Sequence, residues 1–487
     1  MLRLTWFQFT FFNSLMIVLL NFNLFYFVYE KNTQNWLITF VFIVAYFALV
    51  HVICSLLFIK FFTKFFSILF IISSFLSVYF ISFYGVLIDS DMMQNVVQTD
   101  IKEVKDLLNL KLILFVVLAL LLVFYVVKVK IDYYGSFKSH IKIKIINIIS
   151  GLIVVCAVLI PLSKTFLPFF RNYNEIRMYN TPFYQIYAVY RYYVRFVKAK
   201  PEFKTIANDA YRENNHTKKL LVLVVGETAR AANYSLGGYT KNDTNFYTKK
   251  DNVVFFDNFS SCGTATMDVL YKTGVDAVWF DNNSGGCKGV CDRLAYKQKL
   301  SSDLDENLLA PFKEKLNHLS DQNIIVLHLQ GSHGPTYYKR YPSEFKKFTP
   351  TCDTNELSKC DSEALINTYD NTLLYTDYLL SEIIKLLKEQ KSYESSLFYL
   401  SDHGESLGEN GIYLHGMPYA IAPSYQTHIP AIFWSNDKNL MNLAKEYKGL
   451  KLSQDNLFST LLGYFDVKTS VYEPEYDLLN PKLKANP

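Results

Sequence analysis

Five residues carry most of the chemistry legible in the chain: Glu227, His333, Asp402, His403 and His415. Each stands just after a short apolar run or in the loop that follows one. Glu227, Asp402 and His403, with one Thr or Ser oxygen, make a mixed oxygen and nitrogen donor set that suits a tetrahedral Zn²⁺. Such an ion would lower the pKa of a bound hydroxyl and polarise a phosphoryl or sulfuryl oxygen. Singly, each residue has a plainer reading: a strand-end glutamate as a cap, Ser332-His333-Gly334-Pro335 as a turn, His415 as a surface residue. The string Asp402-His403-Gly404-Glu405-Ser406-Leu407-Gly408-Glu409 is more specific, because adjacent ligand types followed by glycines are hard to explain as core packing. The set as a whole points to a metal site.

The nucleophile candidate lies in Cys262-Gly263-Thr264-Ala265-Thr266. A secondary hydroxyl is unreactive at its free pKa, so metal coordination would have to activate it. A helix starting there would add backbone N–H groups for an anion. Composition alone favours a small-residue turn with capping threonines.

These residues need elements to hold them. From about residue 218, short β-branched runs end in polar clusters: Leu220–Val225 before Gly226-Glu227-Thr228, Val253–Phe256 before Ser261, Val275–Phe280 before Asp281-Asn282-Asn283, Ile324–Leu329 before Gly331, and Leu397–Leu400 before Ser401-Asp402. Helical patterns such as Glu363–Glu389 lie between them. The alternation predicts an α/β domain over 218–487 with a mainly parallel sheet between helices. Ligands collect beyond the carboxyl ends of strands in such sheets.

Residues 1–165 differ in kind. The chain of 487 residues is 51% hydrophobic and 16% aromatic, with a mean hydropathy of +0.10, an average over two unlike regions. Five apolar runs, at about 5–29, 36–59, 65–88, 111–127 and 145–163, approach the ~20 residues that cross a bilayer as helix. The first is too long for a cleaved signal and is expected to remain as a span. Arg3, Lys60, Lys64, Lys128, Lys130, Lys138, Lys142 and Lys144 fall on one side, whereas the 89–110 loop carries Asp89, Asp91, Asp100, Glu103 and Asp106. The positive-inside rule puts the cations in the cytoplasm and everything after the fifth span outside. Residues 166–217 mix cations with aromatics from Phe169 to Tyr193 and predict an interfacial amphipathic connector; aromatics packing on the soluble domain is the alternative. With 49 Lys+Arg against 44 Asp+Glu, dispersed and without a recognition motif, nucleic acid is not an expected partner.

Of seven cysteines, Cys54 and Cys156 lie in spans. Cys287 with Cys291 and Cys352 with Cys360 could close short disulfide loops in an oxidising compartment. A four-cysteine zinc site fits less well, since neither pair is C-x-x-C.

The strings VVGETARAANYSLGGY, SSCGTAT, DNNSGGCKGVCDR, LHLQGSHGPTYYKRYP, TCDTNELSKC and SDHGESLGENGIYLHG resemble those of the lipid A phosphoethanolamine transferases of the alkaline phosphatase and sulfatase superfamily, which include the mobile colistin-resistance enzymes. The resemblance extends over the five spans, the DSDMMQNVVQTD loop and nearly all of the soluble domain. It implies a multi-pass inner-membrane enzyme, monomeric, with its catalytic domain in the periplasm. The implied reaction takes phosphoethanolamine from phosphatidylethanolamine onto a threonine and then onto a lipid A phosphate, giving polymyxin resistance. The implied nucleophile and fourth zinc ligand is Thr266, beside Glu227, Asp402 and His403. His333 and His415 would bind the phosphoryl group or a second zinc, one of them as acid or base, and Lys288 and Asn283 would contact the headgroup phosphate. The same chemistry on another surface glycan or protein is the alternative.

The chain departs from the family pattern just after the nucleophile. A Ser-Val-Pro-Cys-Met-Phe type stretch, a helix and a loop normally follow SCGTAT, but Thr266 here runs straight into Met267-Asp268-Val269-Leu270. The missing piece includes the usual partner of Cys262 and most of the helix that would present Thr266, so a catalytically impaired deletion variant is the further alternative. An extra glycine at Gly285-Gly286 also changes the spacing between Asn283 and Lys288.

Overall fold

A computed structural model describes residues 2–486 except 33, 100, 199–205, 214–216, 262–272, 284, 285, 288–290, 292, 293, 295, 301, 303 and 418. The chain forms two compact units, one of Met1–Val97 with Leu108–Pro201 and one of Gln98–Leu107 with Glu202–Pro487.

The first unit is helical: α1 (Trp6–Leu20), α2 (Phe22–Lys31), α3 (Trp36–Leu57), α4 (Thr63–Tyr84) and α5 (Ser90–Gln98) precede α6 (Ile101–Leu107), and α7 (Leu110–Lys128) and α8 (Phe137–Leu159) follow it. Helices α3, α4, α7 and α8 are each long and apolar enough to span a membrane, and α1 with α2 makes a fifth candidate span bent by 51°. The bend has a local cause. The Asn21 side chain donates to Ile17 O at 2.7 Å and Thr181 O at 2.6 Å and accepts from Thr181 N, so it competes with the helix ladder at the break. Helix α8 begins at Phe137 rather than near 145, capped by Ser136, and carries Lys138, Lys142 and Lys144 in its first turns. These lysines hid the start of the helix in the sequence because long cationic side chains snorkel at span ends. Lys144 Nζ donates to Leu56 O near the end of α3, while Arg3, Lys60, Lys64 and Lys130 line one cavity. The cations read as one side in sequence thus lie near one end of the helices.

Helices α9 (Ser163–Asn172) and α10 (Phe183–Tyr192) follow. Their aromatics pack against the membrane helices, Phe166 on Phe42 and Phe183 on Phe70. Through Pro201 the expected connector therefore belongs to the helical unit.

In the second unit the main sheet has seven strands: β1 (Lys219–Gly226), β2 (Val254–Phe255), β3 (Asp276–Asp281), β4 (Tyr296–Lys299), β5 (Gln322–His328), β6 (Glu394–Ser401) and β7 (Ala431–Ser435). Their order is β2-β7-β6-β1-β5-β3-β4. The five strands from β6 to β4 run parallel; β7 pairs antiparallel with β6, and the short edge strand β2 pairs antiparallel with β7. Neither β4 nor β7 is expected from the sequence. Side chains of β1 alternate between two cores, Leu221 and Leu223 on one face, Leu220, Val222 and Val224 on the other. The long helix α12 (Ser362–Glu389) covers the second face with Leu365, Tyr369, Leu373 and Leu380; α11 (Leu309–Leu316) joins it through Phe312. Helices α13 (Lys438–Tyr447) and α14 (Asn456–Tyr464) cover the first with Met441, Ala444, Leu457 and Leu461. Burying each large aliphatic side chain stabilises by about 1.5–3 kcal/mol, so the central strands are the stiffest support available to a site. Disulfides Cys287–Cys291 and Cys352–Cys360 close the two short loops read from the sequence.

Candidate active site

Register explains why the site forms. Gly226 of β1 pairs with Ser401 of β6, and Val225 with His328 of β5, which pairs in turn with Asp281 of β3. Four parallel strands therefore end level, and the residues that follow leave from one edge.

The first is Glu227. Thr228, next to it, sits at φ +61°, a left-handed conformation that β-branched residues avoid. The turn is held from three sides: Thr228 N donates to Asp402 Oδ1 at 3.0 Å, Thr228 Oγ1 to Glu227 Oε1 at 2.7 Å, and Tyr369 of α12 donates to Thr228 O at 2.8 Å. Asn283 Nδ2 donates to Glu227 Oε2 at 2.8 Å. In this arrangement Asn283 orients the glutamate, a role its place in the string DNN did not suggest.

The loop after β5 closes over the same carboxylate. The Asp305 side chain accepts from Gln330 N and Gly331 N at 2.8 and 2.9 Å, and Ser332 N donates to Glu227 O at 3.0 Å. Gly331 has φ +53°, and a Cβ there would stand 2.7 Å from Glu227 O. The close approach leaves room only for glycine. His333 Nδ1 then lies 3.3 Å from Glu227 Oε1.

After β6, Asp402 Oδ1 accepts from His403 N at 2.7 Å as well as from Thr228 N. His403 Nδ1 lies 3.0 Å from Gly404 O, a contact in which Nδ1–H donates, so Nε2 is the nitrogen that could ligate a metal once a cation replaces its proton. Nε2 is 3.3 Å from Asp402 Oδ2 and 3.4 Å from Glu227 Oε1. His415 lies beside it, with ring centroids 4.0 Å apart and the rings tilted by 39°, and its Nδ1 is 3.5 Å from Glu405 Oε2 on a fully buried side chain. Glu227, His403 and His415 offer ligand atoms all within 4.8 Å of one another.

Electrostatics agree with a cation at this point. Burial opposes charge on His403, yet Asp402 and Glu227 outweigh it and push its pKa up to about 10. Burial and the charge of Glu227 raise Asp402 to about 6. Burial also disfavours charge on Glu227, but His333 and His403 hold it well below the usual carboxylate range. The cluster thus calls for positive charge, which a divalent metal supplies with better geometry than one proton. Asp281 with Cys287 and Cys291 forms a second cluster of ligand types, but its two sulfurs are joined in a disulfide.

Six of the eight site residues expected from the sequence, Glu227, Asn283, His333, Asp402, His403 and His415, converge here. Thr266 and Lys288 lie outside the described residues. Sequence reasoning missed Asp305 and Tyr369, which act through backbone groups and leave no motif, missed Thr228, whose hydroxyl donates to Glu227, and assigned no role to Glu405.

A parallel sheet with carboxylates and histidines at its carboxyl edge defines a sulfatase-type domain, and the family model described as sulfatase matches residues 268–467. The model described as phosphoethanolamine transferase EptA/EptB matches residues 46–196. Escherichia coli K12 phosphoethanolamine transferase EptA is 40% identical, with 82% of each chain covered. The structure of the integral membrane lipooligosaccharide phosphoethanolamine transferase A from Neisseria meningitidis superposes with a TM-score of 0.92 at 30% identity, covering 98% of this chain and 99% of that one. The crystallised C-terminal periplasmic domain of phosphoethanolamine transferase EptC from Campylobacter jejuni is 89% identical, covers 58% of this chain and 100% of its own, and has a TM-score of 0.57. The chain belongs to the phosphoethanolamine transferase family, and is a membrane-spanning enzyme.

Proposed function

We propose that the protein is a zinc-dependent transferase that moves phosphoethanolamine from phosphatidylethanolamine to a lipid A phosphate through a phospho-Thr266 intermediate, on the periplasmic side of a bacterial inner membrane. The observation that carries the reading is the convergence of Glu227, His403 and His415 within 4.8 Å, with Asp402 against His403, in a chain whose other half spans a membrane. Glu227, Asp402 and His403 with Thr266 would hold the zinc ion; His403 fits, since its Nδ1–H is engaged by Gly404 O and Nε2 faces the carboxylates. Bound there, zinc supplies a Lewis acid for the phosphoryl oxygen and acidifies a hydroxyl.

The rest is done by the chain. The Thr266 hydroxyl gives up its proton to a basic side chain of the site such as His333, its Oγ forms a bond to the donor's phosphorus as the P–O bond to diacylglycerol breaks, and the departing oxygen takes a proton. In this reading His415 gives that proton, supported by its contact with Glu405 and its place beside His403. A lipid A phosphate oxygen then attacks the same phosphorus, the Thr266 P–O bond breaks, and the threonine recovers a proton. His333, held against Glu227, would bind the phosphoryl oxygens in this reading. Replacing anionic charge with a zwitterion weakens the attraction of cationic peptides to the outer surface.

Purified full-length protein should release diacylglycerol from a fluorescent phosphatidylethanolamine, lose that activity on chelation and regain it with zinc. Thr266→Ala should be inactive even when zinc is saturating, with Glu227, Asp402 and His403 still able to retain the ion. Cells expressing the wild type should show phosphoethanolamine on lipid A by mass spectrometry and raised polymyxin tolerance. Unmodified lipid A beside a modified glycan or protein would move the acceptor. Equal turnover by wild type and Thr266→Ala would support the impaired-variant reading.

A further inference from the structure

One acidic residue of the 89–110 loop, Asp106, is absent from the chemistry above and yet is 7% exposed. It lies on α6, which chain order places between two membrane helices but which folds as part of the catalytic unit. Its carboxylate accepts from Arg340 Nη2 at 2.6 Å, Thr336 Oγ1 at 2.9 Å and Lys339 Nζ at 3.1 Å, and its backbone oxygen accepts from Asn355 Nδ2 at 2.8 Å. All of these partners except Asn355 belong to the loop that carries His333. The Arg340 side chain is 1% exposed and donates from Nε to His333 O at 2.9 Å. A buried guanidinium that loses one carboxylate partner rearranges toward those that remain, here Thr336 Oγ1 at 3.2 Å and the charge of Asp305, and it is bonded directly to the backbone of a site residue.

We propose that Asp106 is a positioning residue for the active site, setting His333 through Arg340. The His333 loop is clamped at its start by Asp305 on Gln330 and Gly331, and at its end by Asp106 on Thr336, Lys339 and Arg340. His333 lies between the clamps, 3.3 Å from Glu227. Losing the second clamp frees His333 O and lets the imidazole drift, while Glu227, Asp402 and His403 keep their own supports. The effect therefore falls on turnover rather than on metal binding. The kinetic part of this inference rests on the transferase reading; the structural part does not.

The test uses the full chain in detergent or nanodiscs, as wild type, Asp106→Asn and Asp106→Glu. Fluorescent phosphatidylethanolamine turnover gives kcat and KM, elemental analysis gives zinc content, and deuterium uptake reports on residues 330–340. Asp106→Asn is expected to lower kcat about tenfold, with KM within twofold and zinc unchanged, and to speed exchange over 333–340; Asp106→Glu should recover much of both. Wild-type kcat and wild-type exchange in Asp106→Asn would overturn the proposal, as would a kcat loss that tracks zinc loss or global unfolding. Should the wild type turn over no donor, the function reading fails, and the exchange data alone decide whether Asp106 holds the loop.

Discussion

Replacing Gly331 with alanine tests whether the loop after β5 fixes Glu227. Two costs arise. An L-residue in the left-handed region pays about 1–2 kcal/mol, and Gly331 sits at φ +53°. The added Cβ would also stand 2.7 Å from Glu227 O and 2.9 Å from Glu227 N, contacts that only a backbone shift relieves, at about 1–3 kcal/mol for overpacking. The sum is about 2–5 kcal/mol, and the segment that moves carries the carboxylate. Gly238 provides the control: its φ is +96°, and a Cβ there meets nothing within 4 Å. Gly238→Ala should therefore cost only the conformational part, about 1–2 kcal/mol. The readouts are chemical unfolding of residues 202–487 and zinc affinity by chelator competition. Gly331→Ala should be the less stable variant and should bind zinc at least tenfold more weakly, the equivalent of about 1.4 kcal/mol spent restoring Glu227, while Gly238→Ala binds normally. Equal stabilities with unchanged zinc affinity in both would refute the claim that this close approach positions the glutamate.

Two more outcomes follow from groups away from the metal ligands' own chemistry. The Arg230 side chain is 5% exposed and pairs with Glu409, but it also donates to Asn233 Oδ1 and Glu405 O; Glu409→Gln should therefore destabilise the catalytic unit by about 2–3 kcal/mol, below the 3–5 kcal/mol of a fully orphaned charge, and a loss under 0.5 kcal/mol in urea unfolding would contradict this. Burial raises Asp477 to about 6, so the folded state favours its protonated form. That contribution is full below the unfolded pKa near 3.8 and is lost as pH rises through about 6. Unfolding free energy should fall between pH 4 and pH 7.5 by about 2–3 kcal/mol from this group, and a pH dependence unaltered in Asp477→Asn would reject the assignment.

How much of this was legible in the sequence depends on the physical scale of each signal. Apolar runs of span length and β-branched runs ending in polar clusters are contiguous, and they announced the helical unit, four of the five parallel strands and helix α12. Strand β4, with the sequence Tyr296-Lys297-Gln298-Lys299 and mostly exposed side chains, carries no apolar alternation, because an edge strand needs only one hydrogen-bonding partner. The bend between α1 and α2 comes from Asn21 meeting Thr181, residues 160 positions apart, and no window along the chain contains both. The same limit separates the site residues that were found from those that were missed. Glu227, Asp402, His403 and His415 are reactive types in short strings, whereas Asp305 and Asp106 act on backbone or on a distant arginine and look in sequence like ordinary surface carboxylates.

Strain at the site supports a preorganised reading. Among the described residues that are not glycine and have positive φ, Thr228 at +61° directly follows Glu227, and Leu414 at +63° directly precedes His415. Neither residue type favours that region, at a cost of about 1–3 kcal/mol each, and both are held there by hydrogen bonds from elsewhere in the fold: Tyr369 on Thr228 O, and Gln426 on Leu414 O at 3.0 Å. A turn free to relax would swing the adjacent Glu227 or His415 out of reach of the other. The buried sheet and α12 offset the strain and keep donor atoms of Glu227 and His415, 188 residues apart in the chain, within 4.8 Å of one another. Side chains held this firmly lose little further conformational freedom in acting together, which is what rigid support contributes to a functional site.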